Sequence, residues 1–182
     1  KRITKQVYDE NALEFEERTR DYLREYILQD ANLFINSLSG KRVLDLGSGP
    51  GRDAAFFRKR GLSPVCVDFS SAMAEICKSR GLDVCVMDLE YLGFQDSSFS
   101  GVWAYTSLLH VPKREVRKVI GGINRVLTNQ GMLYLGMKEG EFEGFLESDK
   151  YPGKRFFALY QDNELRNLLS DFNILHTSRV EL

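Results

Sequence analysis

Three carboxylates are the side chains best placed for chemistry in this chain, because each lies at the end of a short apolar run. They are Asp45, Asp68 and Asp88. Apolar runs this short that end at polar residues or glycines are typical of buried strands. A carboxylate at a strand end can accept hydrogen bonds from ribose hydroxyls, and Asp68 follows Gly47 by about 20 residues, as in dinucleotide-binding folds. The three together predict a site for an adenosine-containing ligand; for any one of them the alternative is a helix cap or a solvated loop.

A glycine-rich turn, Gly47-Ser48-Gly49-Pro50-Gly51, follows the first of these runs. Without Cβ atoms at 47, 49 and 51, a ligand can lie directly against the backbone, and the helix expected at 52–59 points its N-terminus at the same space. The spacing is G-x-G-x-G, whereas a dinucleotide fingerprint is G-x-G-x-x-G. Asp45, beside the turn, would repel a pyrophosphate and suits an ammonium or sulfonium group. The alternative is a plain strand-to-helix turn whose glycines serve geometry alone.

The fourth apolar run leads into a segment that contains His110. Imidazole titrates near neutral pH, so His110 is the candidate general base. The alternative is a structural histidine that caps the next helix or binds a backbone carbonyl. His176, in an apolar run near the end of the chain, is interpreted as structural.

These residues need a scaffold that brings strand ends together. The sequence predicts strands at 43–46, 63–68, 84–87, 101–105 and 132–137, with helices at 52–59, 72–80 and 113–127 between them. Strands that alternate with helices predict a doubly wound, mostly parallel α/β sheet with helices on both faces. Right-handed crossovers then place the carboxyl ends of the strands, and the loops after them, at one edge.

With Asp45 before the G-x-G-x-G turn, the chain resembles the class I S-adenosylmethionine (SAM)-dependent methyltransferases. The segment Ser107-Leu108-Leu109-His110-Val111-Pro112 and the Lys-Glu-Gly-Glu stretch at 138–141 are similar to a group of small bacterial members. The resemblance implies a Rossmann-like fold, SAM as cofactor and S-adenosylhomocysteine as product.

The same resemblance implies roles for individual residues. The acid Asp88 would bind the adenine amino group, Phe69 would pack on the adenine, and the segment that begins at Ser107 would pass beneath the methyl donor. The residues expected at the cofactor are Asp45, Gly47, Ser48, Gly49, Gly51, Asp68, Phe69, Asp88, Leu89 and Ser107.

We expect one domain over residues 1–182, in four parts. An N-terminal helical cap (1–38), helical by periodicity over 10–34, precedes the SAM-binding core (39–137). A charged, aromatic stretch (138–160) is the predicted substrate-facing lid, with a plain surface insertion as the alternative. The remainder (161–182) is predicted as a helix and a sixth strand. Since the family ends with two further strands, either the sheet lacks its last strand and leaves the fifth exposed, or its edge is completed in another way.

Composition excludes several classes of protein. A net charge of −1 offers no global basic field for nucleic acid, and no apolar run reaches the length of a membrane span or forms a visible signal peptide. The three cysteines, Cys66, Cys77 and Cys85, lack metal-ligand spacing, so we expect no metal site. They are interpreted as core residues of a cytoplasmic protein.

The sequence therefore predicts SAM-dependent methyl transfer to a small molecule. No Asn/Asp-Pro-Pro-aromatic motif for exocyclic amines of bases and no Pro-Cys dipeptide for pyrimidine C5 chemistry is present. The alternatives are a tRNA or rRNA methyltransferase, a non-catalytic SAM-binding protein and an NAD-linked oxidoreductase. The glycine spacing and Asp45 disfavour the last.

Overall fold

The computed structural model describes residues 1–148 and 151–181. Its helices are α1 (Arg2–Glu10), α2 (Ala12–Thr19), α3 (Tyr22–Tyr26), α4 (Leu28–Asn36), α5 (Arg52–Lys59), α6 (Ser71–Ser79), α7 (Lys113–Val126) and α8 (Asp162–Leu168), with a 3₁₀ turn at Leu108–His110. Its strands are β1 (Arg42–Leu46), β2 (Ser63–Asp68), β3 (Asp83–Val86), β4 (Phe99–Tyr105), β5 (Leu127–Gly136), β6 (Glu143–Ser148) and β7 (Tyr151–Ala158).

The first five strands form one parallel sheet in the order β3-β2-β1-β4-β5. The strand order reverses between β1 and β4, and in open α/β sheets ligands bind beyond the carboxyl ends of the strands at such a point. β1 ends at Leu46, directly before the glycine turn, and β4 ends at Tyr105, five residues before His110. The predicted doubly wound parallel sheet is confirmed.

Helices cover both faces of this sheet. Along β1, Leu44 and Leu46 point into a core that α7 and α8 cover, whereas Val43 points into a second core beneath α3, α4 and α5. Alternation of this kind is the period of two that a strand imposes. The second core contains Trp103, which is fully buried and stacks on Tyr134 with ring centroids 3.7 Å apart.

The N-terminal region is helical, as predicted, but it is not one helix. Breaks at Asn11, Arg20–Asp21 and Ile27 divide it into α1 to α4. The break at Asn11 turns α1 away from α2, so that α1 packs against both β7 and α6. None of the helices in residues 1–148 and 151–181 is long and apolar enough to cross a membrane.

At the end of the chain the predicted helix is present as α8, but the prediction of a sixth strand was wrong. Residues 172–181 form no strand, and Leu182 lies outside the described residues. Phe172 packs against the main core, but Ile174 and Leu175 are 41% and 73% exposed and bury no apolar face against the sheet. The segment is held to α4 by side chains, since Ser178 Oγ donates to Asp30 Oδ2 at 2.9 Å.

The stretch 138–160 contains an antiparallel hairpin rather than a loop. β6 and β7 pair with each other, with Phe145 opposite Phe156, and they form a sheet separate from the parallel one. The hairpin stands over the edge at which β1 and β4 end, because β7 packs against the 3₁₀ turn that contains His110.

The interpretation of the cysteines as core residues is confirmed for Cys66 and Cys77, which are fully buried, while Cys85 is half-buried against the main core.

Candidate active site

The glycine turn and the loop after β4 approach each other closely. Gly47 has a left-handed backbone (φ 74°), and its amide donates to Val67 O at 2.7 Å. A Cβ atom on Gly47 would lie 2.2 Å from Cβ of Ser107, a distance that no side chain tolerates. The turn therefore requires glycine here because of both backbone conformation and space.

Gly51 has a different role from the one predicted. It begins α5 in a left-handed conformation (φ 76°), and a Cβ atom there would lie 2.6 Å from Leu82 Cδ1 and 2.9 Å from Cys77 Sγ. It therefore lies behind the turn, against the core, and not along the cleft that the other glycines line. Cys77, which the sequence suggested only as a core residue, supports the turn by donating to Gly49 O at 3.3 Å.

Asp68 holds the turn from the neighbouring strand. Its Oδ2 accepts from the Gly49 amide and its Oδ1 accepts from the Ser70 amide, both at 2.8 Å. Desolvation raises the pKa of the Asp68 carboxyl, although these backbone amides act in the opposite direction. Each oxygen still has a lone pair for a ligand hydroxyl. We call residues 47–49 together with Asp68 the glycine wall.

Asp45 belongs to a buried network beneath that wall. Its Oδ2 accepts from the Ala54 amide at 3.1 Å, in the first turn of α5. Burial raises the pKa of the Asp45 carboxyl well above its ordinary value, and the nearby Asp53 carboxylate adds to this increase. Asp53 in turn accepts from Trp103 Nε1 at 2.9 Å. Asp45 therefore stabilises the start of α5 as well as lining the cleft.

Asp88 lies farther along the same cleft, at the end of the third run. It accepts from Lys1 Nζ at 2.9 Å and from the Glu90 amide at 3.1 Å. Of the residues predicted at the cofactor, all except Gly51 line this one cleft: Asp45, Gly47, Ser48, Gly49, Asp68, Phe69, Asp88, Leu89 and Ser107.

The cleft fits an adenosine-type cofactor. Ser107 Oγ is buried and has no hydrogen-bond partner among the described residues, so it can serve a ligand. The glycine wall offers bare backbone, and Asp68 offers lone pairs beside it. The cleft continues past His110 to Arg155 and Phe157 on β7, so residues of the glycine wall and of the hairpin line one depression.

His110 lies at the opposite side of this cleft with both ring nitrogens engaged. Nδ1 lies 2.6 Å from the Phe156 carbonyl, which can only accept, so Nδ1 carries the proton. Nε2 therefore accepts from the Tyr8 hydroxyl at 2.8 Å. Burial lowers the pKa of His110 to about 4, and the positive charges of Arg155 and Lys138 act in the same direction. The ring is therefore neutral at pH 7.

Tyr8 and Arg155 reach His110 from distant parts of the chain. Arg155 Nη1, on β7, donates to the Tyr8 hydroxyl at 3.0 Å, and Tyr8, on α1, donates onward to His110. The His110 ring also lies 4.9 Å from the Phe157 ring. We call Tyr8, His110, Arg155 and Phe157 the hairpin wall. The sequence placed Tyr8 and Arg155 only within a predicted cap and lid, and no local signal indicates that they meet.

α1 is fastened on both sides of the cleft. Asp9 Oδ1 accepts from Ser70 Oγ at 2.6 Å and from the Ala72 amide at 3.2 Å, at the start of α6. On the other side, Thr4 Oγ1 accepts from the Phe156 amide at 3.0 Å. α1 thus connects the start of α6, beside the glycine wall, with β7, which carries Arg155 and Phe157 of the hairpin wall.

Comparison with known proteins agrees with this geometry. Residues 43–131, which contain β1 to β4 and the glycine wall, match the family model of a methyltransferase domain. Residues 43–131 are those of a methyltransferase domain. SAM-dependent methyltransferases are among the solved structures that share the fold of this chain.

The methyltransferase domain has curated relatives. It is 34% identical over 104 residues to methyltransferase GfsG of Streptomyces halstedii, an alignment that covers 52% of this chain and 37% of that protein. It is 32% identical over 101 residues to a demethylmenaquinone methyltransferase of Renibacterium salmoninarum, with 54% and 42% covered. The chain thus spans about two fifths of the length of these relatives.

A solved structure shares the fold of the domain over most of the chain. It is the 1,6-didemethyltoxoflavin-N1-methyltransferase of Burkholderia thailandensis, crystallised with 1,6-didemethyltoxoflavin and S-adenosylhomocysteine. The TM-score is 0.67 at 20% identity, and the match covers 91% of this chain and 76% of the other.

Proposed function

We propose that this chain catalyses SAM-dependent methyl transfer to a small-molecule acceptor. The observation that carries the proposal is the pair of hydrogen bonds by which Asp68 holds the Gly49 and Ser70 amides at 2.8 Å. This arrangement fixes the bare backbone of the glycine turn beside the Asp68 carboxylate, at the edge of the sheet where the strand order reverses. It suits a ribose and its neighbouring chain, and the G-x-G-x-G spacing of the turn differs from the G-x-G-x-x-G spacing of pyrophosphate-binding turns.

Bound SAM supplies an activated methyl group, so the protein has mainly to align the acceptor. Positioning alone can contribute several kcal/mol of barrier reduction, roughly 7–11 in the best intramolecular models. We propose that Asp68 and Ser107 orient the cofactor, and that Asp88, Phe69 and Leu89 line its adenine end. The hairpin wall would then face the acceptor.

We propose His110 as the proton acceptor for substrates that lose a proton during transfer. Burial keeps the ring neutral, so Nε2 is unprotonated and can accept a proton. The Tyr8 hydroxyl occupies that lone pair, so a proton would move from the acceptor to Tyr8 Oη while the Tyr8 proton moves to Nε2. The low pKa means that His110 would hold this proton only briefly. Acceptors that arrive deprotonated need no such step.

We propose that α1 and the β6–β7 hairpin together form the lid over the acceptor. α1 is held to the start of α6 by Asp9 and to β7 by Thr4, so release of either contact would open the cleft. A lid excludes water and completes the site only when it is closed.

A small-molecule acceptor is supported by the names of the relatives. The comparisons include demethylmenaquinone and 1,6-didemethyltoxoflavin methyltransferases, both of which act on small ring compounds by name. The net charge of −1 also argues against a nucleic-acid acceptor, which requires a basic surface.

Calorimetry with SAM, S-adenosylhomocysteine and NADH tests the cofactor. We expect binding of the first two and none of NADH; NADH binding without SAM binding would overturn the proposal. Transfer of a labelled methyl group from SAM to a panel of metabolites then tests the activity. If SAM binds but neither small molecules nor RNA are labelled, the chain is a SAM-binding protein and the catalytic part of the proposal fails.

A further inference from the structure

Arg155 is a buried cation whose charge is unmatched among the described residues. Its side chain is on β7, the residue is 8% exposed, and Nε is buried without a hydrogen-bond partner. Its described polar contact is the one from Nη1 to the Tyr8 hydroxyl, which carries no charge. No carboxylate within residues 1–148 and 151–181 lies in ion-pair distance of it. Burying an unpaired guanidinium lowers the stability of the folded protein unless a bound ligand supplies the opposite charge.

Five other cations of the cleft differ from Arg155 because each pairs with a carboxylate. Lys1 pairs with Asp88 and Glu90, Lys5 with Asp9, and Arg52 with Asp53; Arg166 and Arg179 pair with Asp162 and Glu139. Arg155 thus keeps N–H donors that have no partner among the described residues, whereas the charges of these five cations are already paired with carboxylates.

Aromatic rings hold the Arg155 guanidinium in place. Its carbon Cζ lies 5.3 Å from the centroid of Tyr8, 5.1 Å from that of Tyr151 and 5.2 Å from that of Phe157. Such rings fix the orientation of a guanidinium without using its N–H donors. The guanidinium is therefore held in one orientation in a partly apolar pocket. A guanidinium held in this way can bind a carboxylate through two parallel hydrogen bonds.

We propose that Arg155 binds a carboxylate of the methyl acceptor, and that the acceptor is therefore an anionic molecule with an apolar or aromatic body. This inference rests on the proposed function and adds the chemical class of its substrate. Arg155 is linked by hydrogen bonds to Tyr8 and through Tyr8 to His110, on the hairpin wall. A carboxylate anchored there holds the rest of the acceptor in the cleft near Tyr8 and His110, the candidate proton acceptor.

The test uses the full chain saturated with S-adenosylhomocysteine and three probe pairs: benzoate and benzamide, phenylacetate and phenylacetamide, indole-3-acetate and indole-3-acetamide. Affinities are measured by calorimetry or ligand-observed NMR. We expect at least one carboxylate to bind about tenfold more tightly than its amide, which corresponds to about 1.4 kcal/mol. Arg155→Met should abolish this preference and Arg155→Lys should retain part of it.

Arg18→Met is the matched control. Arg18 also places its guanidinium over Tyr151, at 5.6 Å, but its side chain is 47% exposed and pairs with Glu14. We expect this variant to keep the preference of the unmodified chain.

Three results would overturn the inference. One is that no carboxylate is preferred over its amide by the unmodified protein, a comparison that does not depend on any variant folding. Another is a preference that survives Arg155→Met. The third is a loss of S-adenosylhomocysteine affinity of more than tenfold in Arg155→Met, which would assign the carboxylate to the cofactor. Failure of S-adenosylhomocysteine to bind the unmodified chain is a separate result, and it would overturn the proposed function itself.

Discussion

The two walls of the cleft are built in opposite ways. The glycine wall consists of backbone and one carboxylate, all between residues 47 and 68, and adjacent parallel strands hold it in register. The hairpin wall consists of side chains from residues 8, 110, 155 and 157, which reach one another only through tertiary packing. A backbone-built wall fits one ligand shape with little adjustment, whereas a side-chain wall can change its specificity by single substitutions. The first suits a shared cofactor and the second a variable acceptor.

The largest loss of SAM affinity is expected from a substitution at Gly47, because the glycine wall has no room for a side chain there. Gly47→Ala would force Cβ into Ser107 and impose a left-handed conformation on alanine. Overpacking costs about 1–3 kcal/mol and the conformation about 1–2 kcal/mol more. We expect SAM affinity to fall by about 100-fold or more, as measured by calorimetry.

The control for that variant is Gly61→Ala. Gly61 has a similar backbone (φ 81°) but open space around it, and it lies away from the cleft. The Gly61→Ala substitution should lower the free energy of unfolding through backbone strain alone and leave SAM affinity unchanged. Equal effects of both variants on SAM binding would contradict the steric argument.

The next largest effect should come from Asp68. Asp68→Ala removes the acceptor for two backbone amides and the proposed ribose contact. Hydrogen bonds to a charged group contribute about 1.5–3 kcal/mol each, so we expect a loss of SAM affinity of about 30-fold or more. Asp83→Ala, at the exposed start of the neighbouring strand, should have no effect. Unchanged binding in Asp68→Ala would show that the glycine wall does not depend on this carboxylate.

The hairpin wall should respond to pH through His110. Since its pKa is lowered to about 4 in the folded chain from the ordinary 6.5, the folded state binds fewer protons than the unfolded state between those values. Its contribution to stability is therefore present above pH 6.5 and lost as the pH falls towards 4. Between pH 7 and pH 5 the loss should be about 2 kcal/mol.

Urea unfolding at the two pH values measures this loss. His110→Asn should reduce the change in free energy of unfolding between pH 7 and pH 5 by about that amount. His176→Asn, whose side chain is 53% exposed, serves as the control and should behave like the unmodified chain. A His110→Asn profile that matches the unmodified one would mean that the ring is not buried as neutral imidazole.

The smallest effect should come from the connection between the walls. Asp9→Ala removes the two hydrogen bonds that fasten α1 to the start of α6. Each is a local contact of about 1 kcal/mol, so we expect SAM to dissociate roughly fivefold faster. Stopped-flow displacement measures this rate. Glu10→Ala, the adjacent exposed carboxylate that bonds only Gln6 among the described residues, should not change it.

Most of the scaffold could be predicted from the sequence because its signals are local. Apolar runs of strand length, glycines at the turn and capping residues act within a few positions, and five parallel strands follow from their order. The C-terminal strand was predicted on the same kind of pattern and is absent over 172–181. Residues near Ser178 instead bond Asp30 on α4, a partner that no pattern within 172–182 specifies.

The glycine wall, then, was determined by the sequence itself, since Gly47, Gly49 and Asp68 are brought together by one strand–helix–strand unit. Even there the tertiary structure decided that Gly51 supports α5 and that Asp45 is buried beneath the wall. The hairpin wall was decided by tertiary structure alone. The contact from Arg155 through Tyr8 to His110 spans almost the whole chain, and residues so far apart in sequence meet only when α1 and the hairpin close over the sheet.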